Sequence, residues 1–133
     1  MFVSAYFGKY LNRYDGKRVP PGWNEWSGLV RNSRYYNYTL NINGKLERHG
    51  NDPEKDYFTN VITQKSIDYF EKQTQKNHEK PLFMVVAHAA PHGPEDGAPK
   101  YQKYYPDAKA PRFCNFSSSQ YCLNCCFLDT VIY

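Results

Sequence analysis

The sequence has 133 residues and a mass of 15.6 kDa, about the size of one ordinary domain. It is 41% hydrophobic with a mean hydropathy of −0.80, and no run approaches the roughly 18 apolar residues that a spanning helix needs, so we expect no membrane span. An aromatic content of 17% is enough to bury a core, which argues against general disorder. The net charge of +4 favours anionic partners only weakly, because 17 basic residues are interleaved with 13 acidic ones.

The first half of the chain predicts a strand, a loop and a hairpin. Residues 2–7 form an apolar run that predicts a short buried strand, which we expect Gly8 to end. Residues 9–34 predict a loop. Apolar residues then alternate with polar ones over residues 36–42 and lead into Asn43-Gly44. This pattern predicts a β-hairpin, because a type I′ turn needs positive φ at both central residues.

The second half predicts a helix followed by a buried strand. Asp52-Pro53 fits the start of a helix, because the Asp side chain caps free amides and Pro at the first helical position loses no hydrogen bond. The apolar stripe that predicts the helix runs to about Thr74 and comprises Tyr57, Phe58, Val61, Ile62, Tyr69 and Phe70. Residues 82–87 are continuously apolar, as in a strand covered on both faces. The order favours an α/β architecture with a parallel or mixed sheet.

Lys9 is the first candidate site residue, since ligands in such folds bind outside the carboxyl ends of strands. Gly8 allows the backbone to turn sharply and a ligand to approach closely. A lysine at this point supplies a positive charge for a phosphate or sulfate oxygen. The alternative is a solvated lysine at a strand end, which is a common arrangement.

The segment from His88 to His92 is the second candidate, at the end of the other predicted strand. Pro91 and Pro94 flank His92 and restrict its backbone. An imidazole placed there can donate a hydrogen bond to an oxyanion or protonate a leaving group. The alternatives are that His88 is a satisfied core or supporting residue and that His92 is a turn residue.

Other candidate residues are open to ordinary explanations. Glu95-Asp96 could bind a metal or balance a basic site, but exposed turn carboxylates are the better explanation of the pair. The aromatic residues of the loop and hairpin could stack on sugar rings or fill a core, and they are Trp23, Trp26, Tyr35, Tyr36 and Tyr38. Two sequons, at Asn37 and Asn115, permit N-glycosylation in the secretory pathway.

The end of the chain differs in composition from the rest. All four cysteines lie in the last twenty residues, at positions 114, 122, 125 and 126. The Cys122-x-x-Cys125 spacing lacks a second ligand pair and a nearby histidine, so we predict no zinc site. We expect residues 1–112 to form the folded part and residues 113–133 to be a divergent tail outside it.

Several short segments together resemble the glucosamine-6-sulfatases, a branch of the sulfatase family with lysosomal enzymes and extracellular heparan sulfate endosulfatases. The resemblance runs in order from about Val3 to about Arg112. The segments are Phe7-Gly8-Lys9-Tyr10-Leu11-Asn12, Val19-Pro20-Pro21-Gly22-Trp23, residues 32–39, Ile42-Asn43-Gly44-Lys45, His49-Gly50, Asp56-Tyr57-Phe58-Thr59, Ala90-Pro91-His92-Gly93-Pro94, residues 98–103 and Ala110-Pro111-Arg112.

This resemblance implies part of an alkaline-phosphatase-like α/β sulfatase domain with a β-hairpin insertion. Lys9 matches a lysine that contacts the sulfate and the nucleophile, and His92 matches a histidine that holds a sulfate oxygen and assists departure of the alcohol. Asn12 stands where many sulfatases carry a histidine. The implied activity is hydrolysis of 6-O-sulfate from glucosamine in heparan or keratan sulfate. The implied partner is a sulfated glycosaminoglycan and not nucleic acid, and the implied location is the lysosome or the extracellular space.

The family's nucleophile and metal ligands are not found in the sequence. The resemblance implies a formylglycine made from a Cys-x-Pro-Ser-Arg segment and a calcium ion held by Asp-Asp and Asp-His-Gly residues, and none of these segments occurs here. We therefore expect the 133-residue chain alone to be inactive, with no metal ligands of its own. The rival hypothesis is a non-catalytic module that binds sulfated glycans through basic and aromatic residues.

Overall fold

The structure, a computed structural model, describes residues 2–75, 80–93 and 97–108. The chain divides into two compact units, residues 1–93 and 94–133, and the first holds every described helix and strand. In chain order these are β1 (Val3–Lys9), β2 (Glu25–Leu29), β3 (Thr39–Ile42), β4 (Lys45–Arg48), α1 (Phe58–Gln75) and β5 (Leu82–Ala87). None of the described helices is both long and apolar enough to cross a bilayer.

The five strands form one mixed sheet in the order β4-β3-β2-β1-β5. β1 is parallel to both of its neighbours, with Tyr6 opposite Trp26 on β2 and Val85 on β5. The β3–β4 hairpin continues the sheet through antiparallel pairing of β3 with β2. The expected α/β class with a mixed sheet is confirmed, and two parallel strands, β1 and β5, end at the same edge.

The predicted hairpin is confirmed, and its turn has the expected backbone. Asn43 and Gly44 both have positive φ, 49° and 91°, as a type I′ turn requires. The side-chain oxygen of Asn43 also accepts a hydrogen bond from the Trp26 amide at 2.8 Å. Pairing begins only at Thr39, so Tyr36 and Tyr38 precede the strand that the alternation predicted.

The predicted loop over residues 9–34 was wrong in the middle, where β2 lies. The segment Glu25-Trp26-Ser27-Gly28-Leu29 lacks alternation and contains a serine and a glycine, so its strand character is weak locally. It becomes a strand because β1 and β3 pair with both of its edges. β1 also continues two residues beyond its predicted end, through Gly8 to Lys9.

The helix begins five residues later than its capping signal predicted, at Phe58 and not at Pro53. The Asp52 carboxylate does accept hydrogen bonds from the amides of Glu54 and Lys55, at 2.9 and 3.3 Å. These bonds close a separate turn, and α1 begins at Phe58, whose amide donates to the Tyr35 carbonyl at 2.9 Å. The local signal was therefore real but belonged to the turn that precedes the helix.

The helix packs one apolar face against the sheet. Phe58 and Ile62 are fully buried, and Tyr69 contacts Phe7 of β1 with ring centroids 5.8 Å apart. Full burial of each such side chain stabilises the fold by about 1.5–3 kcal/mol. Phe70, which the stripe included, is exposed instead. The helix and β1 thus share the main hydrophobic core with β2 and β3.

β5 has its predicted bounds, but the prediction that both of its faces are covered was wrong for the described residues. Phe83 is 53% exposed and Val86 is 39% exposed, on opposite faces of the strand. β5 is the end strand of the sheet and pairs with β1 alone among the described strands. Parts of both faces therefore stay open even though the sequence reads as a buried strand.

A network of charged side chains joins the hairpin to the segment before the helix. The His49 ring lies between the carboxylates of Glu47 and Asp56, with nitrogen–oxygen distances of 2.8 and 3.5 Å. It also stacks on the buried Tyr38 ring, with centroids 4.7 Å apart. Lys65 of α1 completes the network at 3.2 Å from Glu47. These contacts hold the segment of residues 49–56 to β4 and to α1.

The described part of the second unit, residues 97–108, consists of turns. The Tyr101 amide donates to the Ala98 carbonyl at 2.9 Å, and the Tyr104 amide donates to the Tyr101 carbonyl at 3.1 Å. The Gln102 side chain donates to the Gly97 carbonyl at 3.0 Å. The predicted tail, residues 113–133, lies outside the described residues, so the predicted boundary near residue 112 stays a prediction.

Candidate functional site

Gly8 lets β1 and β5 approach each other immediately before the candidate site. Its φ is +118°, and a Cβ at this position would lie 1.9 Å from the Ala87 carbonyl oxygen. No L side chain fits at that distance, so glycine is required by both the backbone angle and the neighbouring strand. Gly8 is paired with Ala87, and one residue further along each strand stand Lys9 and His88.

The Lys9 ammonium is held by the segment that follows it. Its Nζ donates to the Asn12 side-chain oxygen at 2.8 Å and to the Tyr10 carbonyl at 3.1 Å. The Tyr6 hydroxyl donates to the Lys9 carbonyl. An ammonium has three N–H donors, so these contacts leave one donor for an anionic ligand. Asn12, which the sequence analysis noted only as standing where many sulfatases carry a histidine, therefore positions the Lys9 charge.

His88 lies beside Lys9 at the edge of the sheet, and its side chain is exposed. Desolvation by the surrounding protein nevertheless holds the pKa of His88 below its ordinary value of 6.5. The lowered pKa favours the neutral ring, which can both donate and accept a hydrogen bond. This state suits a supporting polar contact better than the binding of an anion by charge.

His92 lies in the turn that follows β5, after a cis Ala90-Pro91 peptide bond. Its amide donates to the Ala89 carbonyl at 2.9 Å, and its carbonyl accepts a hydrogen bond from the Tyr35 hydroxyl at 2.7 Å. Tyr35 comes from a segment 57 residues away in the chain. The sequence analysis did not single out this role, because no local signal connects a buried tyrosine to a distant turn.

The hydrogen bond of the His92 ring assigns its tautomer. Nδ1 lies 2.7 Å from the Gly93 carbonyl oxygen, which can only accept, so Nδ1 carries the hydrogen. In the neutral ring, Nε2 then has the free lone pair, and in the protonated ring it carries a transferable proton. The residue is exposed, and Nε2 makes no hydrogen bond with the described residues. The ring is therefore equipped to exchange one proton at a defined atom.

The topology places Lys9 and His88 at one edge of the sheet, and His92 lies in the turn that follows. Lys9 ends β1, His88 directly follows β5, and His92 lies four residues further on. Because β1 and β5 are adjacent and parallel, their carboxyl ends meet at this edge. Glu95-Asp96, Asn115 and the cysteines lie outside the described residues.

Most of the candidate sugar-stacking aromatics lie in the core. Trp26 is fully buried, and Tyr35 and Tyr38 are each at most 5% exposed, so their rings are not available to a ligand. Trp23 is half-buried and stacks on Phe83. The Asn37 side chain is exposed in a turn with positive φ, and N-glycosylation there stays a prediction.

The described residues do not form a calcium site. No group of three or more histidines, cysteines, aspartates or glutamates in the ranges 2–75, 80–93 and 97–108 could hold a metal ion. The calcium that the resemblance implies therefore has no ligand set among these described residues.

The fold is a mixed α/β domain with candidate residues at the carboxyl ends of two adjacent parallel strands, and comparison with known proteins identifies its family. A family model described as Sulfatase matches residues 2–121 of this chain. The chain belongs to the sulfatase family. The resemblance found in the short segments is thereby confirmed.

The similar curated proteins are all sulfatases. The chain is 48% identical over 104 residues to the Extracellular sulfatase SULF-1 homolog of Drosophila melanogaster, covering 78% of this chain and 9% of that protein. It is 43% identical over 122 residues to the N-acetylglucosamine-6-sulfatase of Homo sapiens, covering 87% of this chain and 22% of that protein. The chain thus spans a small part, between 9% and 22%, of the relatives it matches.

A solved structure has the same fold. It is the structure of the protein BT4656 in complex with its substrate D-glucosamine-2-N,6-O-disulfate. The match has a TM-score of 0.60 at 24% identity and covers 86% of this chain and 22% of that chain. At this identity the likeness concerns the fold, which confirms the predicted sulfatase-type α/β class.

Proposed function

We propose that this chain is part of a protein that hydrolyses sulfate esters, removing the 6-O-sulfate from glucosamine residues of heparan or keratan sulfate. Its membership of the sulfatase family and relatives named N-acetylglucosamine-6-sulfatase and extracellular sulfatase support the proposal. The observation that carries it is that Lys9 ends β1 and that the turn carrying His92 follows β5, the parallel neighbour of β1. The implied partner is a sulfated glycosaminoglycan, met in the lysosome or outside the cell, and Asn37 is the proposed glycan site.

Lys9 binds the sulfuryl group. Its ammonium already carries two hydrogen bonds, and the third donor points its charge at a sulfuryl oxygen. The sulfuryl oxygens carry negative charge, and more charge grows on the ester oxygen as its bond to sulfur breaks, so a fixed positive charge beside this group stabilises that state. Because Asn12 and Tyr10 hold the ammonium in place, little reorganisation is needed when the ester binds.

His92 supplies the proton to the leaving alcohol. Protonated Nε2 donates its hydrogen to the sugar oxygen as that oxygen leaves sulfur, and the ring becomes neutral with Nδ1 still bonded to the Gly93 carbonyl. The formylglycine nucleophile and the calcium ion that the family implies would supply attack and further charge neutralisation. We expect no turnover by the 133-residue chain alone, since no cysteine in it lies in a Cys-x-Pro-Ser-Arg segment.

The test is sulfate release from 6-sulfated glucosamine by a full-length protein that contains this chain. We expect Lys9→Ala to lower turnover by about 10²–10³-fold, as loss of one charge-stabilising donor does. We expect His92→Ala to lower turnover by about 10²–10⁴-fold, as loss of a general acid does. Lys55→Ala removes an exposed lysine elsewhere in the chain and should leave turnover unchanged.

A substrate with a better leaving group separates the two roles. The phenolate of an aryl sulfate leaves without protonation. The His92→Ala variant should therefore hydrolyse an aryl sulfate at most of the unmodified rate, whereas the Lys9→Ala variant should not. Equal losses on both substrates would remove the proton-donor role from His92. Unchanged kinetics for Lys9→Ala would remove the sulfate-binding role from Lys9.

A further inference from the structure

The segment that follows Lys9 lines an open cleft. It has a volume of about 460 Å³ and is lined mainly by Tyr10, Tyr14, Asp15, Lys17, Arg18 and Pro20-Pro21. This volume lies within the roughly 300–1,000 Å³ that is typical of small-ligand sites. Tyr10, which lines it, directly follows Lys9 and accepts a hydrogen bond from the Lys9 ammonium. We name it the 10–21 cleft.

The aromatic wall of the 10–21 cleft is held by a buried tryptophan. Tyr10 and Tyr14 meet edge to face, with ring centroids 5.6 Å apart. Both rings also contact Trp26, at 5.2 and 5.9 Å, and Trp26 is fully buried. Two half-buried tyrosine rings are thus presented on a rigid support, which is the arrangement on which a sugar ring can pack.

The backbone around the 10–21 cleft is held in place by residues that are remote in sequence. The fully buried Asn41 donates from Nδ2 to the Gly16 carbonyl at 2.6 Å. The Arg31 amide donates to the Tyr14 carbonyl at 2.7 Å. The Tyr14 hydroxyl donates to the Arg18 carbonyl at 2.5 Å. Because the walls are already ordered, a ligand does not have to order them when it binds.

The rim of the cleft is basic and accessible. The Lys17 side chain is 82% exposed and only loosely paired, with its Nζ 3.9 Å from an Asp15 oxygen. The Arg18 residue is exposed, and its guanidinium has no hydrogen bond or ion pair with the chain over residues 2–75, 80–93 and 97–108. Two cations against one carboxylate leave a net positive rim, which suits the sulfates of an anionic sugar chain.

We propose that the 10–21 cleft binds a neighbouring sulfated sugar of the same glycan chain whose 6-sulfate occupies the site at Lys9. This inference rests on the proposed function, because it takes the occupant to be a sulfated glycan. Tyr10 and Tyr14 contact the sugar ring, and Lys17 and Arg18 contact its sulfate groups. The cleft therefore selects for chains longer than one sugar, whereas Lys9 alone does not.

Binding to the 133-residue chain tests the cleft by ligand length. The probes are a heparin hexasaccharide and glucosamine 6-sulfate, titrated by calorimetry at physiological salt. Lys17→Gln with Arg18→Gln should weaken hexasaccharide binding about tenfold, as loss of two exposed charge contacts does. The affinity for the monosaccharide should not change. The matched control, Arg48→Gln with Lys55→Gln, removes the same charges outside the cleft lining and should change neither affinity by more than about twofold.

A second variant predicts a change of opposite sign. Asp15→Asn keeps the side-chain oxygen that accepts the Lys17 amide at 3.0 Å, but it removes the only carboxylate of the cleft lining. Hexasaccharide affinity should therefore rise by about twofold. A change in fold would not raise affinity, so this variant separates a binding role from a structural one.

Three results would overturn the inference: no hexasaccharide binding by the unmodified chain, equal losses in the cleft variant and its control, or unchanged binding in the cleft variant. Failure of the proposed function would look different. In that case the cleft variant would still weaken hexasaccharide binding, while the full-length protein would release no sulfate from a 6-sulfated glucosamine.

Discussion

The two strand ends that carry the candidate site are anchored differently. After β1, the Lys9 ammonium is bonded to Tyr10 and Asn12, and the Arg13 amide is bonded to the Asn32 side chain at 3.0 Å. After β5, the turn that carries His92 is joined to a remote part of the chain through the Tyr35 hydroxyl. Lys9 is therefore positioned mainly by its own following segment, and His92 depends on a remote tyrosine.

This difference matches what each residue is proposed to do. A lysine that binds a charged sulfuryl group benefits from an ammonium fixed before the substrate arrives. A histidine that transfers a proton needs an accessible Nε2 and a fixed tautomer, and the bond from Nδ1 to the Gly93 carbonyl supplies the tautomer. Tyr35 has then only to hold the backbone of the turn, which leaves the ring itself exposed.

Substituting Gly8 should have the largest effect, because it disturbs both strand ends together. A Cβ in Gly8→Ala would meet the Ala87 carbonyl oxygen at 1.9 Å, at a φ of +118°. We expect a loss of about 2–5 kcal/mol in the free energy of unfolding, from overpacking and backbone strain combined. Urea denaturation of the 133-residue chain measures it.

Gly22→Ala is the matched control for Gly8→Ala. Gly22 also has positive φ, +93°, but nothing lies within 4 Å of its would-be Cβ. It should lose only the strain, about 1–2 kcal/mol. If the two variants are equally stable, the close approach of β1 and β5 at Gly8 is not what fixes the site.

Sequence signals predicted those elements whose causes are local. Asn43-Gly44 specifies its turn by the φ angles that these residues tolerate, so the hairpin was predictable. β2 was missed because its strand character comes from pairing with β1 and β3 and not from its own five residues. The Asp52 carboxylate caps a separate turn that precedes the helix, so the helix begins later than the capping signal predicted.

The candidate site was predictable in part for the same reason. Lys9 and His92 could be placed at strand ends from the sequence, but no local pattern shows that β5 lies next to β1. The Tyr35 contact and the 10–21 cleft depend on residues brought together from distant segments. The sequence analysis gave no role to Lys17 or Arg18, because their place beside the two tyrosines is visible only in the folded chain.

Removing the Tyr35 hydroxyl tests the weaker of the two anchors. Tyr35→Phe should cost about 1 kcal/mol of stability, the net value of one hydrogen bond. It should also shift the NMR signals of the His92 ring and lower full-length turnover less than His92→Ala does. The Lys9 side should be unaffected, so glucosamine 6-sulfate binding by the 133-residue chain should persist.

Tyr38→Phe is the control for the loss of a hydroxyl from a buried tyrosine. The Tyr38 hydroxyl is buried and makes no hydrogen bond within the described residues, and burial raises the pKa of Tyr38. Its removal should be neutral or slightly stabilising, because an unpaired buried polar group is lost. Equal effects of the two substitutions on the His92 signals would show that Tyr35 does not hold the turn.

The smallest expected effect concerns the support behind Tyr35. The Phe58 amide donates to the Tyr35 carbonyl, and the Asn37 amide donates to the Gly50 carbonyl at 2.7 Å, so residues 49–58 hold the segment that carries Tyr35. Within the charged network there, desolvation raises the pKa of Glu47, but hydrogen bonding and charge from Lys65 and His49 outweigh it and hold the pKa below its ordinary value of 4.5.

The sign of the pH dependence follows from that lowered pKa. A carboxylate with a lowered pKa in the folded protein contributes stability above its ordinary pKa of 4.5, and this contribution is lost as the pH falls further through the folded value. Lys65→Met removes a main cause of the shift, so it should lower stability at pH 7 by about 0.2–1 kcal/mol, the range for a partly exposed pair, and by less at pH 3. Thermal unfolding at both pH values measures this loss of stability.

Lys55→Met is the control, because it removes a more exposed lysine at 3.9 Å from Asp52, and it should show no such pH-dependent difference. If Lys65→Met lowers stability equally at the two pH values, Lys65 contributes by packing. Charge would then not contribute to holding the segment that carries Tyr35.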